Sequence, residues 1–280
     1  MTKTKITLLV ENTAQGPGVQ AEHGLSYWIE HRGRRILLDT GQGGVLAGNA
    51  NRLGVPLQDL DALVLSHGHY DHTGGAAEAL RTDRPVAIYA HPAALTEKFT
   101  VTANQTARSI GMPYPSEKAI RQSPTPLVET MRPIEVFEGL TATGPVPRET
   151  DFEDTGGRFF LDDACTRPDP LVDDQSVFLD TPKGTVVLLG CAHSGVINTL
   201  RYIRRLTDGR PIRAVVGGMH LVNASARRIE RTIEEFRRLG VEQLAPGHCT
   251  GMPATVALWT AFPNACVACH VGKTFSWDVA

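Results

Sequence analysis

The sequence predicts an α/β protein, a four-layer αββα sandwich. Three observations lead there: an order of segments that occurs twice, apolar strands that repeatedly end in histidine, and a composition ordinary for a globular chain. The 280 residues are 41% hydrophobic and 21% charged, with a formal net charge of −2. That balance lacks the clustered basic surface of a nucleic-acid binder, so no nucleic-acid partner is expected. The apolar run at 6–10 is too short for a signal-peptide core, and no stretch approaches a membrane span. A cytoplasmic location without membrane association is the expectation.

Residues 26–41 (SYWIEHRGRRILLDTG) read as strand, tight turn at Arg32-Gly33, strand. Residues 61–67 (DALVLSH) form an apolar strand ending in histidine, then helical sequence at 75–80 and a short strand at 86–91 (VAIYAH). The same order returns at 176–191 (SVFLDTPKGTVVLLGC), 213–220 (RAVVGGMH), a helix at 224–239 and 243–248 (QLAPGH). Two half-sheets packed face to face, with helices outside, gather the strand-end loops at one edge, where a rigid scaffold can position functional groups. The clearest amphipathic helix spans 222–239: Ile229, Ile233 and Phe236 recur at helical spacing and Gly240 ends it. Arg227, Arg228 and Arg231, interleaved with Glu230, Glu234 and Glu235, read as a solvated, salt-laced face. Between the halves, 96–157 is proline-rich, with short helices expected at 107–110 and 116–122. One domain over 1–280 is expected, with a lid insertion at about 96–157 on the rim of the site.

The strongest chemical signal is Ser66-His67-Gly68-His69-Tyr70-Asp71-His72-Thr73-Gly74-Gly75, directly after an apolar strand. Imidazole and carboxylate are ligands for zinc and similar divalent ions. Packing this many polar groups without a metal would carry a high desolvation cost. His67 and His69, two apart in an extended loop, can point the same way. Asp71 and His72, adjacent at a helix start, diverge and can reach a second ion. Gly68 keeps the loop narrow.

Remote ligands should close the site. His193, in Gly190-Cys191-Ala192-His193, and His248, in Pro246-Gly247-His248, follow apolar strands and are the ones chosen. Cys191 is either a soft ligand or a buried, inert thiol. His220, after two glycines, is a ligand, a proton relay, or a group behind a ligand. His91 and His23 rank lower, as structural residues or partners of ligands. Asp39 is expected to accept a hydrogen bond from a ligand imidazole and fix its tautomer. The five cysteines, an odd number in a chain without an export signal, argue against a disulfide framework. Cys266-Val-Ala-Cys269-His270 spells a haem-attachment pattern, which the same compartment argument makes a coincidence.

The complete HxHxDH pattern at His67, His69, Asp71 and His72 resembles that of the metallo-β-lactamase superfamily, over essentially the whole chain. The resemblance implies the αββα fold and a site for two divalent metal ions, zinc first and iron or manganese as alternatives. Glu22-His23-Gly24-Leu25-Ser26, the 65–75 block, Thr143-Gly144-Pro145-Val146-Pro147-Arg148, Asp174-Gln175, 190–195, 217–221 and 246–251 are similar to one branch. That is the 7,8-dihydropterin-6-methyl-4-(β-D-ribofuranosyl)aminobenzene 5′-phosphate synthase branch. The chain departs from the superfamily at Gly190-Cys191, where Gly-Asp is usual; the second metal's ligand set is therefore open there, and His193 carries the expectation.

The expected function is hydrolysis of a small ester, lactone or phosphoester by a metal-activated hydroxide. Asp71 would hold the second metal and orient the nucleophile, and His220 or His23 would protonate the leaving group. The alternative is transfer between a dihydropterin diphosphate and an arylamine ribofuranosyl phosphate, with Arg148 and Lys98 on phosphate. A third reading is a non-enzymatic metal-holding or redox-linked protein using Cys191, Cys249, Cys266 and Cys269. The expected partner is a small molecule, phosphorylated or pterin-like.

Overall fold

A computed structural model describes residues 3–104 and 106–279. The outermost residues of the expected 1–280 domain, and Gln105 within its insertion, lie outside the described residues. The first half runs β1 (Lys3–Val10), β2 (Ser26–His31), β3 (Arg34–Leu38), α1 (Leu46–Arg52), β4 (Ala62–Val64), α2 (Tyr70–Thr73), α3 (Ala76–Ala79) and β5 (Ala87–Ala90). The middle adds β6 (Phe99–Val101), β7 (Ala107–Ser109), α4 (Tyr114–Arg121), β8 (Leu127–Glu129), β9 (Ile134–Phe137), β10 (Leu140–Ala142) and β11 (Phe159–Phe160). The second half comprises β12 (Ser176–Thr181), β13 (Gly184–Leu189), α5 (Val196–Leu206), β14 (Ile212–Gly218), α6 (Ala226–Leu239), β15 (Gln243–Gly247), α7 (Met252–Ala261) and β16 (Thr274–Asp278).

Two large sheets result, with strand orders β16-β1-β2-β3-β4-β5-β8 and β15-β14-β13-β12-β10-β9. The internal repeat is explicit in the pairing. In the first half the β2–β3 hairpin continues through parallel β4 and β5; in the second, β12–β13 continues through parallel β14 and β15. The first hairpin turns on Arg32 and Gly33, both at positive φ, the geometry that matches strand twist in a two-residue loop.

Alternation along the strands sorts side chains between layers. Tyr27, Ile29, Ile36 and Leu38 face Leu179, Val186 and Leu188 in the core between the sheets. Trp28, Leu37 and Leu63 face outward onto α1, α3 and α4. Val187, Leu189 and Val215 face α5, α6 and α7. The architecture is the expected αββα sandwich. The Tyr27 hydroxyl crosses the central layer and donates to the carbonyls of Leu189 (2.9 Å) and Val216 (3.2 Å), tying the sheets together directly beneath the loop edge.

α6 begins at Ala226 rather than at 222, because the Ser225 side chain caps it by accepting from the Arg228 amide; Gly240, at φ 66°, ends it. Phe236 is fully buried there, with Ile229 and Ile233 packed alongside. Arg228 departs from the expected solvated face: it is buried and paired with Asp154, while Arg231 pairs with Asp151 at 2.9 Å. The expected helix at 107–110 is instead strand β7, because pairing with β6 fixes it as extended; the helix expected at 116–122 is α4. The 96–157 segment divides. β8 joins the first large sheet and β9 and β10 the second, whereas β6 and β7 form a small sheet with β11. Among the described residues no helix is long and apolar enough to cross a membrane.

Candidate metal centre

The site forms where the loops after β3, β4, β13, β14 and β15 meet. The loop after β4 is narrow because Gly68 passes the Ala94 carbonyl; a Cβ there would lie 2.3 Å from that oxygen. Its amide donates to Asp173 (2.8 Å), whose other oxygen accepts from Lys98. α2 then begins at Tyr70, which puts Asp71 and His72 on its first turn. Asp39, Ala192, His220 and His248 all hold positive φ. Each such residue costs about 1–3 kcal/mol, and their clustering in these loops is the pattern of a functional site.

Four imidazoles are oriented by a partner on Nδ1. His67 Nδ1 meets Ser66 Oγ (3.0 Å), itself committed to donating to Asp39 Oδ2 (2.6 Å). His72 Nδ1 meets Asp39 Oδ2 (2.7 Å), His193 Nδ1 the Thr155 carbonyl (2.9 Å), and His248 Nδ1 the Asn12 Oδ1 (2.9 Å). All four partners accept, so in the neutral ring the network assigns the proton to Nδ1 and the lone pair to Nε2.

Those lone pairs converge. His67 Nε2 lies 3.0 Å from His69 Nδ1, and the donor atoms of His67, His69 and His193 all fall within 4.8 Å of one another. His193 Nε2 is buried with no partner. In the second set, Asp71 Oδ2 is 3.4 Å from His248 Nε2 and 3.8 Å from His72 Nε2, and the two Nε2 atoms are 3.1 Å apart. Tetrahedral zinc with nitrogen ligands at about 2.05 Å places its donors about 3.3 Å apart, close to the separations in the second set and to the His67–His69 separation in the first. Imidazole nitrogens and a carboxylate oxygen this close favour a positive charge among them, which a cation would supply. The rings of His67 and His72 lie 4.3 Å apart, so the sets are adjacent.

Burial pushes the His67 and His193 imidazoles well below their ordinary pKa, His69 to about 3 and His248 to about 4, which keeps them neutral and ready to ligate. Burial acts the same way on His72, but Asp39 and Asp71 more than offset it and raise the group to about 9. Burial alone would raise Asp71; the charge of His72 and the hydrogen bond from His23 outweigh it and hold the carboxyl well below its usual range.

All six residues expected as ligands are thus brought together, and Asp39 sits where a tautomer-fixing partner was expected. His220 lies beside them, its ring 4.1 Å from that of His193, with Nδ1 buried and unpartnered. His23 Nε2 is 3.1 Å from Asp71 Oδ2, nearer the site than its rank in the sequence suggested. His91 instead caps the turn that follows it, accepting from the Ala93 amide (3.1 Å). Two expected phosphate contacts are corrected. Lys98 is fully buried and donates to Asp169 (2.8 Å) and Asp173 (3.0 Å); Arg148 is spent on the carbonyls of His193 (2.9 Å) and Pro170 (2.8 Å). The haem-like motif shares no face: Cys266 packs in the helix-side core and Cys269 between the sheets. All five cysteines are free thiols.

Sequence reasoning missed the groups that hold the ligand loops. Glu11 Oε1 accepts from the His248 amide (2.6 Å), and Asp174 accepts from the amides of His193 (2.9 Å) and Ser194 (2.8 Å). The available signal was position: Glu11 and Asn12 follow β1 directly, as His67 and His193 follow their strands. Phe159 was also missed; its ring lies 5.2 Å from those of both His69 and His193. It helps line a cavity of about 1050 Å³ that is also lined by His69, Asp71, His193 and His248 and, towards solvent, by Val222, Met252 and Trp259.

A family model described as the metallo-β-lactamase superfamily matches residues 19–248. A Methanocaldococcus jannaschii protein named 7,8-dihydropterin-6-methyl-4-(β-D-ribofuranosyl)-aminobenzene-5′-phosphate synthase is 28% identical over 90% of this chain and 89% of its own length. An uncharacterized protein of the same organism is 32% identical, covering 96% of this chain and 98% of its own. The crystal structure of Tm1679, described as a metal-dependent hydrolase of the β-lactamase superfamily, superposes with a TM-score of 0.82 at 29% identity, covering 97% of this chain and 98% of that one.

Proposed function

The chain belongs to the metallo-β-lactamase superfamily, and from that premise we propose that it is a metal-dependent hydrolase acting on a small ester, lactone or phosphoester. The observation that carries this reading is the convergence of buried imidazole nitrogens with the Asp71 carboxylate at a cavity lined by His69, Asp71, His193 and His248. His67, His69 and His193 would hold one divalent cation and Asp71, His72 and His248 a second, with zinc the best match to nitrogen-rich donors. When bound, such cations lower the pKa of a water molecule and polarise an electrophilic oxygen.

The chain's own groups supply the rest. Asp39, Ser66, Asn12 and the Thr155 carbonyl hold the imidazoles with their lone pairs inward. Asp71 orients the attacking water. His220 and His23 both line the cavity, and in this reading either would pass a proton to a departing oxygen. Phe159 and its small sheet act as the lid that keeps bulk water out. Val222 (47% exposed), Met252 (71%) and Trp259 (39%) give the mouth an apolar rim suited to a small molecule with an apolar or aromatic body.

Pterin-linked transfer is the second reading, favoured by the relative named as a synthase. A pterin diphosphate would be the electrophile and an arylamine the nucleophile. With Lys98 and Arg148 engaged elsewhere, Arg158 on the cavity wall is the cation within reach of phosphate. One experiment separates the readings. Zinc-loaded protein and its His67→Ala variant are assayed on phosphodiester, phosphomonoester and lactone substrates, and on a pterin diphosphate with an arylamine. Hydrolysis that disappears in the variant supports the first reading, and a coupled pterin–arylamine product the second. Turnover that is absent throughout, or equal in both proteins, refutes both.

A further inference from the structure

Helix α7 leaves the His248–Thr250 turn through Gly251, which holds φ 76° and presses on Val222; a Cβ there would lie 2.6 Å from Val222 Cα. The start of the helix is thereby fixed beside the ligand loop. Its sequence, MPATVALWTA, is apolar on nearly every side. Ala254 and Leu258 fill the helix-side core. Met252, Val256 and Trp259 stay exposed, and with Val222 they make four of the eight exposed large apolar side chains among the described residues. A helix apolar all round is ordinarily covered on every face.

Met252, Thr255 and Trp259 line the same cavity as Asp71, His193 and His248. Their spacing, i, i+3 and i+7, sets them on one stripe, which at 1.5 Å per residue runs about 10 Å. The stripe begins four residues past His248. The cavity, at about 1050 Å³, stands at the upper end of the volumes that enclose drug-sized ligands, far more than a reacting ester group fills.

We propose that this stripe binds an extended apolar body of the substrate, with Met252 and Trp259 as specificity-determining residues. The inference rests on the metal-dependent hydrolytic reading above and deepens it. One helical turn rises about 5.4 Å, roughly the span of a single ring, so two turns call for an unbranched chain or a fused ring system. Indole offers either one a flat face, and the thioether adapts its shape to it. Continuity with the cavity that holds the donor cluster selects substrate, rather than a second copy of the chain, as the occupant.

Phosphonates test this without turnover, because their carbon–phosphorus bond is not hydrolysed. Methyl-, octyl- and (2-naphthyl)methylphosphonate are titrated calorimetrically into the zinc-loaded full chain and into its Met252→Ser/Trp259→Ser variant. A fully buried methylene adds about fourfold in affinity and one in a half-open groove about twofold, so a ligand that covers the stripe should bind wild type roughly 100-fold more tightly than methylphosphonate. That ligand is octylphosphonate if the body is a chain and the naphthyl compound if it is a ring system. The double variant should lose most of the gain. Trp28 and Trp277 are buried, so acrylamide quenching reports on Trp259, which the tighter ligand should shield and methylphosphonate should not. Equal affinity for all three in wild type, or a gain that survives in the double variant, overturns the proposal and leaves the metal centre standing. A wild type that sediments as a dimer, with a monomeric double variant, would give the stripe to a second copy instead. If no phosphonate binds, the metal centre and the stripe fall together.

Discussion

Replacing Lys98 with methionine removes the ammonium to which Asp169 and Asp173 both bind, at 2.8 and 3.0 Å, in side chains 0–2% exposed. Both carboxylates would then be stranded away from water. Breaking a buried pair by removing one partner costs about 3–5 kcal/mol. At about 2–4 °C per kcal/mol, the melting temperature should fall by roughly 6–20 °C. The site should loosen with it, because Asp173 also accepts from the Gly68 amide and so holds the turn between His67 and His69. The assay is thermal unfolding by circular dichroism, with a triple variant, Lys98→Met/Asp169→Asn/Asp173→Asn, as the control. That variant strands no charge and should recover most of the loss. The pH dependence has a definite sign. Burial lowers the Lys98 pKa, but Asp173 and Asp169 outweigh it and raise it above 10.5. Its contribution is therefore fully present below pH 10.5 and is lost as pH rises through the still higher folded value. The wild-type advantage over Lys98→Met should stay level from neutral pH to about 10 and shrink only in stronger alkali. A loss below about 1 kcal/mol, the size of an exposed pair, would refute the claim that this triad is dry.

Asp39→Ala removes the acceptor shared by His72 Nδ1 and Ser66. Zinc affinity, read by chelator competition, should weaken by roughly 10–100-fold; unchanged affinity would show that the tautomer lock is dispensable. Tyr27→Phe deletes the hydroxyl that joins the two sheets and leaves the Leu189 and Val216 carbonyls short of a donor. Urea unfolding should register a loss of about 1–3 kcal/mol, and a neutral result would mean those carbonyls find other partners.

The parts of this molecule legible in its sequence are those encoded locally. The hairpins at 26–38 and 176–189 announce themselves through alternation and a turn, and each exchanges hydrogen bonds with its own neighbour. His67, His69, Asp71 and His72 share one loop, so their convergence needs little help from the rest of the fold. Asp39 was legible because it ends a strand at the same edge. Non-local pairing hid the remainder. Nothing in Ala107–Ser109 signals a strand until Phe99–Val101 lies beside it. Lys98 and Arg148 look like phosphate contacts until Asp169, Asp173 and the His193 carbonyl claim them. Arg228 looks solvated until Asp154 closes over it. In each case a side chain common on surfaces is taken up by a partner many residues away, and helix or strand period carries no trace of that partner.

The tether of His248 has a consequence for biosynthesis. Its amide and its imidazole are fastened by Glu11 and Asn12, 237 and 236 residues earlier, and β16 pairs with β1 beside them. A nascent chain that has left the ribosome as far as α5 already carries His67, His69 and His193. The Asp71–His72 pair must wait for its third member until β15 has emerged and docked against the end of β1. Translation order therefore brings His67, His69 and His193 out of the ribosome before His248, and a chain stalled before β15 would lack both that imidazole and the strand that carries it.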